Sequence, residues 1–260
     1  MLTYPQFDPV IIKLGPLAIR WYGLMYLVGF LCGYALLHHL RRLRNYALTA
    51  DHVGDLLFYT VCGVILGGRL GYVIFYNLGY YLQHPLQIPA VWQGGMSFHG
   101  GLLGVVIAVL LFCRQKKTSI LDVGDMIATA TPIGLCFGRI GNFINGELWG
   151  RTTDLPWGMV FPGAGPLPRH PSQLYEACLE GFVLFLLLYW LHRRQARQGV
   201  PFFTFFIGYG IARFLVEFVR EPDQHLGTLS LGLTMGQYLS LPMIILGGAG
   251  LWYCLKRRRG

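Results

Sequence analysis

One stretch of the sequence, GRIGNFINGELWG from Gly138 to Gly150, places an arginine, two amides and a carboxylate directly after a long apolar run. These side chains are Arg139, Asn142, Asn145 and Glu147. A helix repeats every 3.6 residues, so the arginine, the first asparagine and, less closely, the second asparagine fall on one side of a helix. Such groups are costly near hydrocarbon unless they pair or meet a ligand. The chemistry that suits this set is the binding of an anionic or strongly polar group.

A second polar stripe lies inside another apolar run. Its members are Tyr209, Arg213, Glu217 and Arg220, at helical positions i, i+4, i+8 and i+11. Arg213 is about 12 residues, or roughly 18 Å, from one end of that run, which is too deep in a core of about 30 Å for easy snorkelling. Two arginines with one carboxylate leave excess positive charge, which favours an anionic ligand. The alternative is a structural ion pair between Arg213 and Glu217 that locks two helices.

Two histidines and a tyrosine are further candidates for chemistry. His99, in SFHGG, stands where a loop enters an apolar run, and His170 lies just before another run. A neutral imidazole accepts a proton near pH 7. The alternative for His99 is a capping or hydrogen-bonding residue at a helix start. Tyr22 follows Arg20 and Trp21, and taken alone it is typical of an aromatic belt at a membrane interface.

The elements that must position these residues are membrane helices. The 260-residue chain is 54% hydrophobic and only 13% charged, with a mean hydropathy of +0.48, whereas soluble domains have about 25% charged residues. A span needs about 20 apolar residues. The sequence predicts seven spans, roughly at 19–38, 53–76, 98–113, 120–143, 172–191, 202–220 and 233–255. We therefore predict an all-α polytopic membrane protein, with residues 1–260 forming a single integral membrane domain.

Clusters of basic residues predict the orientation of these spans. Thirteen of the 21 lysine and arginine residues follow spans one, three, five and seven. They are Arg41, Arg42 and Arg44; Arg114, Lys116 and Lys117; Arg193, Arg194 and Arg197; and Lys256, Arg257, Arg258 and Arg259. The positive-inside rule makes that side cytoplasmic, so the N-terminus is outside and the C-terminus inside. Because most of the net charge of +9 lies at membrane edges, we expect no nucleic-acid partner.

Orientation does not explain the eight remaining basic residues. They are Lys13, Arg20, Arg69, Arg139, Arg151, Arg169, Arg213 and Arg220. In the predicted topology all of them lie in the outer half of the membrane or outside it. The planar guanidinium of arginine can donate two parallel hydrogen bonds to phosphate oxygens. These arginines therefore predict an anion site at the outer leaflet. For Arg69, packing among glycines explains its position as well as a site role does.

Other features complete the predicted organisation. The connections 77–97 and 151–171 are longer than turns, and we expect them to form a small cap of loops over the outer surface. Glu176 and Glu180, at i and i+4 in span five, are possible partners for arginines, without a specific role. The six cysteines include no CxxC and no Cys/His cluster at metal spacing, so we expect no metal and no cofactor.

Several classes of function lack their sequence signatures. The chain has no GxSxG elbow, no HExxH and no P-loop, and it lacks the paired aspartates expected of CDP-alcohol phosphotransferases. Two alternatives to an enzyme stay open. One is an anion or lipid transporter, although transporters usually show an internal repeat or paired broken helices, which we do not find. The other is a structural assembly factor with buried ion pairs.

The motifs taken together resemble those of the bacterial prolipoprotein diacylglyceryl transferases. The stretch from Gly138 to Gly150 matches that family's signature, and other motifs match it in order along nearly the whole chain. They are RWYGL at 20–24, SFHGG at 97–101, RHPSQLYE at 169–176 and the stripe from Tyr209 to Arg220.

The resemblance implies a reaction, its substrates and a location. The reaction moves the diacylglyceryl group of phosphatidylglycerol, a membrane lipid, onto the lipobox cysteine in the signal peptide of a preprolipoprotein. A thioether forms and glycerol 1-phosphate leaves, which is the first step of bacterial lipoprotein maturation. The implied location is the bacterial cytoplasmic (inner) membrane, with the active site toward the outer, periplasmic leaflet.

On this expectation the site residues fall into two sets. The catalytic set is His99, Arg139, Arg213 and Tyr22. The substrate-binding set is Asn142, Asn145, Glu147, Gly150, His170, Tyr209, Glu217 and Arg220.

Within these sets, Arg139 and Arg213 clamp the phosphate and Asn142 hydrogen-bonds the headgroup. His99 is the candidate base for the thiol, although arginines alone would also lower a thiol pKa. Tyr22 and Tyr209 are expected to hydrogen-bond the lipid or the thiol. The orienting groups are Glu147, Glu217 and Arg220.

Overall fold

A computed structural model of the protein describes residues 2–15, 17–221 and 232–256. Most of these residues are helical, and six helices are long and apolar enough to cross a membrane. The prediction of an all-α polytopic membrane protein is therefore confirmed. Three members of the last basic cluster, Arg257, Arg258 and Arg259, lie outside the described residues.

The helices follow the predicted spans closely, with one short addition. In chain order they are α1 (Trp21–Leu43), α2 (Ala50–Tyr76), α3 (Leu78–Gln83), α4 (Phe98–Lys116), α5 (Ile120–Ile144), α6 (Ser172–Glu176), α7 (Leu184–Arg193), α8 (Val200–Val216) and α9 (Met235–Lys256). A π-helical segment, Ala177–Val183, joins α6 to α7, so that residues 172–193 form one continuous span. Two 3₁₀ turns, Pro85–Gln87 and Val91–Gln93, lie between α3 and α4.

The sixth predicted span ends earlier than expected. Helix α8 stops at Val216, with 17 residues, and does not continue to residue 220. The following turn still donates Arg220 N–H to Val216 O at 3.0 Å. The backbone of Arg220 then pairs with Gly150 in an antiparallel bridge. The bridge therefore lies within one turn of the end of the helix.

The chain divides into two compact units, which we describe separately. One consists of residues 1–44 with 124–260, and the other of residues 45–123. The single domain over residues 1–260 stays a prediction.

Short strands shape one end of the first unit. They are β1 (Leu2–Thr3), β2 (Val10–Leu14), β3 (Leu17–Arg20) and β4 (Met159–Val160). Strand β1 pairs in parallel with β4, and β2 pairs antiparallel with β3 before the chain enters α1. Next to β1, the hydroxyl of Tyr4 donates to Phe143 O at 2.6 Å and to Ile144 O at 3.0 Å. These bonds satisfy carbonyls that the end of α5 leaves without a helical partner.

The opposite ends of α5, α7 and α8 are joined by buried polar contacts. The carboxylate of Asp125, on α5, accepts from Gly199 N and Phe202 N at the start of α8, both at 2.9 Å. Thr129 Oγ1 and His192 Nε2 lie 2.8 Å apart, which connects α5 to α7. A carboxylate near a helix N-terminus satisfies free N–H groups and favours the helix dipole. These contacts fix the position of α8 relative to α5.

In the second unit, α2 and α4 pack through glycines. Gly67 and Gly71 of α2 face Gly100 and Gly104 of α4. A Cβ on Gly71 would lie 2.7 Å from Gly100 Cα, and one on Gly67 would lie 2.7 Å from Gly104 Cα. Close approach of helix backbones over small residues is a common way for membrane helices to associate.

Arg69, also on α2, organises the connection between α3 and α4. Its side chain is buried, and it donates to Gln87 O at 2.7 Å, Ile88 O at 2.6 Å and Gly94 O at 2.6 Å. A single guanidinium thereby holds three backbone carbonyls of the connecting segment. These contacts favour the packing interpretation of Arg69 over a role in a site.

The glycine contact between α2 and α4 gives a test of stability. We expect Gly71→Ala to lower the free energy of unfolding by about 1–3 kcal/mol, because the added methyl meets backbone atoms. The midpoint of thermal unfolding in detergent should fall by roughly 2–10 °C. The control is Gly54→Ala in the same helix, where a Cβ would meet nothing within 4 Å. Equal midpoints for the two variants would contradict this packing.

Candidate active site

The polar stretch 138–150 begins in the last turns of α5 and reverses direction where the helix ends. Arg139 and Asn142 lie on the last turns of α5, whereas Asn145 lies in the turn beyond Ile144. Asn145 N still donates to Gly141 O at 3.0 Å, so helical hydrogen bonding extends to this residue. Gly146 has a φ of +65°, which reverses the chain in the left-handed conformation that glycine favours.

Glu147 orders both asparagines from the far side of this turn. Its Oε1 accepts from Asn142 Nδ2 at 2.9 Å and from Asn145 Nδ2 at 3.2 Å. Gln173 Nε2 in turn donates to the backbone carbonyl of Glu147 at 2.6 Å. The predicted orienting role of Glu147 requires contacts of this kind. The two amides are thus held in fixed orientations by one carboxylate.

The two arginines predicted to form a clamp meet at one carboxylate oxygen. Arg139 Nε lies 2.8 Å from Glu176 Oε2, and Arg213 Nη1 lies 3.1 Å from the same atom. Glu176 is completely buried at the end of α6. The side chains of α5 and α8 therefore converge, as predicted for a shared site.

Further ion pairs extend this meeting point into a cluster. Arg213 Nη2 also contacts Glu217 Oε1, and Arg220 Nη1 lies 3.4 Å from the same oxygen. Glu180, in the π-helical segment, lies 3.7 Å from Arg213 Nη1 and 3.9 Å from Arg139 Nη2. We call this set the arginine–glutamate cluster. Its members are Arg139, Arg213, Arg220, Glu176, Glu180 and Glu217.

The cluster holds three positive and three negative side chains, so the predicted excess of positive charge is wrong. Glu176 and Glu180 supply the missing negative charge. The ion pair between Arg213 and Glu217 is present, but it is one contact in a larger network. The sequence carried a signal for this arrangement, because two carboxylates at i and i+4 in an apolar span require partners. The predicted pairing of Glu176 and Glu180 with arginines is therefore confirmed.

Two tyrosines border the polar residues of the first unit. Tyr22 on α1 packs against Gly141 of α5, where a Cβ would lie 3.1 Å from Tyr22 Cδ2. Its hydroxyl lies 3.0 Å from that of Tyr26. Tyr209, on α8 one turn before Arg213, stacks on Phe205 with ring centroids 5.7 Å apart. Both rings therefore flank residues of the predicted site, and their contacts with a substrate stay predictions.

The backbones of three segments meet at Gly150, and we call this point the crossing. The segments are the end of the polar stretch, the residues before α6 and the turn after α8. Gly150 N donates to His170 O at 2.9 Å, and the next residue, Arg151, donates its N–H to Val219 O at 2.8 Å. A Cβ on Gly150 would lie 2.7 Å from His170 Cβ, so only glycine fits without displacement. The crossing holds the polar stretch against the turn that carries Arg220. Its role in substrate binding stays a prediction.

His170 lies at the same crossing, where burial favours the neutral form of its imidazole. Burial lowers the pKa of its imidazole, and Nδ1 lies 3.2 Å from the hydroxyl of Tyr175. A ring with a lowered pKa favours the folded state in its neutral form, so this contribution is lost as the pH falls through the folded-state pKa. In a neutral imidazole one ring nitrogen donates a hydrogen bond and the other accepts one.

His99 belongs to the second unit, while the other predicted site residues belong to the first. It is an exposed residue in the first turn of α4. The cap of this helix is Ser97, whose Oγ accepts from Gly100 N at 3.2 Å. The capping function is thus carried by a neighbour of His99, and the role of His99 as a base stays a prediction.

Comparisons with known proteins agree with the resemblance of the motifs. The profile of the prolipoprotein diacylglyceryl transferase family matches residues 9–253. A phosphatidylglycerol–prolipoprotein diacylglyceryl transferase of Bordetella avium is 58% identical over 260 residues, covering 99% of this chain and 98% of the relative. Proteins of the same name from Nitrosomonas europaea and Geobacter sulfurreducens are 59% and 57% identical, covering 98% and 95% of this chain and 93% and 95% of the relatives. The chain therefore belongs to the prolipoprotein diacylglyceryl transferase family.

Proposed function

We propose that this chain transfers the diacylglyceryl group of phosphatidylglycerol to the lipobox cysteine in the signal peptide of a preprolipoprotein. A thioether forms and glycerol 1-phosphate is released, as the first step of lipoprotein maturation. The observation that carries the proposal is the convergence of Arg139 and Arg213 on one buried carboxylate oxygen. In a multi-pass chain of this family, that convergence supplies two guanidinium groups for one lipid phosphate.

The proposed location is the bacterial inner membrane, with the site toward the outer leaflet. The basic clusters that follow alternate spans support this orientation through the positive-inside rule. Arg139, Arg213 and Arg220 then lie on the side away from those clusters. Phosphatidylglycerol reaches such a site from the membrane, and the signal peptide presents its thiol at the same leaflet.

The reaction requires the protein to stabilise charge on a leaving phosphate. The sulfur attacks a glyceryl carbon, the bond from that carbon to the phosphate oxygen breaks, and its electron pair goes to the phosphate. Preorganised charges aimed at such a leaving group commonly give the largest contribution to catalysis. Arg139 and Arg213 perform this task in our proposal, since their forks match phosphate oxygens. The glutamates keep both guanidinium groups in position before the lipid arrives.

Residues around the arginines position the headgroup. Asn142, whose amide is held by Glu147, hydrogen-bonds the headgroup. Glu217 and Arg220 orient Arg213 from the end of α8. Tyr22 and Tyr209 offer hydroxyl groups to the lipid or the thiol. His99 is the proposed base for the thiol, because a base is useful for a thiol whose ordinary pKa is about 8.5.

The transfer itself is tested by mass spectrometry of a lipobox peptide incubated with the purified protein and phosphatidylglycerol. We expect a mass gain equal to one diacylglyceryl group on the cysteine. A peptide with serine in place of that cysteine, and vesicles of phosphatidylcholine alone, should give no adduct. A folded protein that binds phosphatidylglycerol but forms no adduct would favour a transporter or an assembly factor.

Replacing either clamp arginine by lysine should slow transfer. We expect Arg139→Lys and Arg213→Lys each to reduce the initial rate of adduct formation by about 10²-fold or more. Lysine keeps the positive charge but cannot donate two parallel hydrogen bonds to the phosphate. The matched control is Arg20→Lys, at an exposed position that precedes α1. Its rate should stay within about twofold of wild type. Near wild-type rates for both clamp variants would contradict the clamp.

The role of His99 is tested through the pH dependence of transfer. A histidine base accepts a proton only in its neutral form, and glutamine cannot replace it as a base. His99→Gln should therefore lose about 10²-fold in rate and should change the pH dependence of transfer. The measurement is the initial rate between pH 5.5 and 8.5. Retained activity with the wild-type profile would show that His99 is structural.

A further inference from the structure

Glu180 has a different environment from the other two carboxylates of the arginine–glutamate cluster. Glu176 Oε2 has two close guanidinium contacts, and Glu217 Oε2 accepts from Thr234 Oγ1 at 2.6 Å. The nearest guanidinium nitrogens of Glu180 are 3.7 and 3.9 Å away. Among the described residues neither oxygen of Glu180 accepts a hydrogen bond, although its side chain is completely buried. Glu180 therefore has the weakest contacts of the three carboxylates in the arginine–glutamate cluster.

Charged and titratable groups face Glu180 from every element packed around it. The π-helical segment itself contacts α5, because a Cβ on Gly181 would lie 2.6 Å from Cys136 Cβ. The surrounding groups are Glu176 from α6, Arg139 and Cys136 from α5, Tyr209 and Arg213 from α8, and Glu217 and Arg220 from the turn after α8. With all six members ionised, the cluster carries no net charge.

An anionic lipid changes this balance. The phosphodiester of phosphatidylglycerol carries one negative charge and does not titrate near neutral pH. When it binds between Arg139 and Arg213, four negative groups face three positive ones in a site of low dielectric. Such a charge is costly to bury without a partner. Protonation of one carboxylate restores neutrality, and the group with the weakest contacts gives up its charge most easily.

We propose that Glu180 takes up one proton when phosphatidylglycerol binds and releases it when the product leaves. This inference rests on the proposed function, because it assumes that an anionic headgroup enters the clamp. The proton comes from the solution, and no bond other than one O–H bond of Glu180 is made or broken. Glu180 is a positioning residue that acts through the arginines: its negative charge balances the cluster while the clamp is empty, and its protonation offsets the negative charge of the bound phosphate.

Calorimetry measures this proton directly. Short-chain phosphatidylglycerol is titrated into the full-length protein in a maltoside detergent, in HEPES and in Tris, which differ in their heat of ionisation. Near pH 8 we expect uptake of about one proton per lipid bound in the wild type, and a fall in affinity of up to about tenfold for each further pH unit. Glu180→Gln should bind phosphatidylglycerol without uptake of a proton and with an affinity independent of pH.

Two further variants complete the test. Glu221→Gln is the matched control, because Glu221 is exposed and pairs with Arg169 outside the cluster. It should take up a proton as the wild type does. Glu180→Met also removes the titrating group, so it replaces Glu180→Gln if that variant fails to fold.

The outcomes separate this inference from the proposed function. Proton uptake that persists in the Glu180 variants, or binding without uptake in the wild type, would overturn the inference while transfer to the lipobox peptide proceeds. A wild-type protein that neither prefers phosphatidylglycerol over phosphatidylcholine nor forms the adduct would overturn both.

Discussion

A single carboxylate shared by two arginines determines the arrangement of the first unit. Arg139 arrives from α5 and Arg213 from α8, and both contact Glu176 Oε2. A buried charge that loses its partner costs several kcal/mol. Loss of Glu176 would therefore leave both arginines with weaker or fewer carboxylate contacts. The contact joins α5, α6 and α8 at the centre of the arginine–glutamate cluster.

Contacts at the two ends of the helices keep this network rigid. At one end, Asp125 holds the start of α8 against α5. At the other, Tyr4 bonds the last carbonyls of α5, and Gly150 pairs with the turn after α8. With both ends fixed, the side chains between them have few alternative arrangements. Fixed charges and dipoles of this kind stabilise a transition state without having to reorganise when charge develops.

The sequence was sufficient to predict the spans and the two clamp arginines. Length and apolarity are local properties, and an arginine deep in an apolar run demands an explanation wherever it folds. Glu176 and Glu180 were predicted as possible partners for arginines, but the specific pairs were beyond prediction, because these side chains meet only after three helices have packed. The bridge between Arg220 and Gly150 likewise joins residues that are distant in sequence. Strands β1 and β4 have two residues each, which is too short for an alternating pattern.

The crossing at Gly150 has a consequence for the segment that it closes. Residues 151–170 leave and rejoin the unit at one place, since Gly150 N bonds His170 O and His170 N bonds Arg151 O. Thr153 N bonds Pro168 O and Met159 pairs with Arg169 above that base, while Gly163 and Gly165 turn the tip with positive φ. The base therefore stays closed whatever the tip does. The tip offers a point where a tag or a reporter can be inserted without altering the membrane helices.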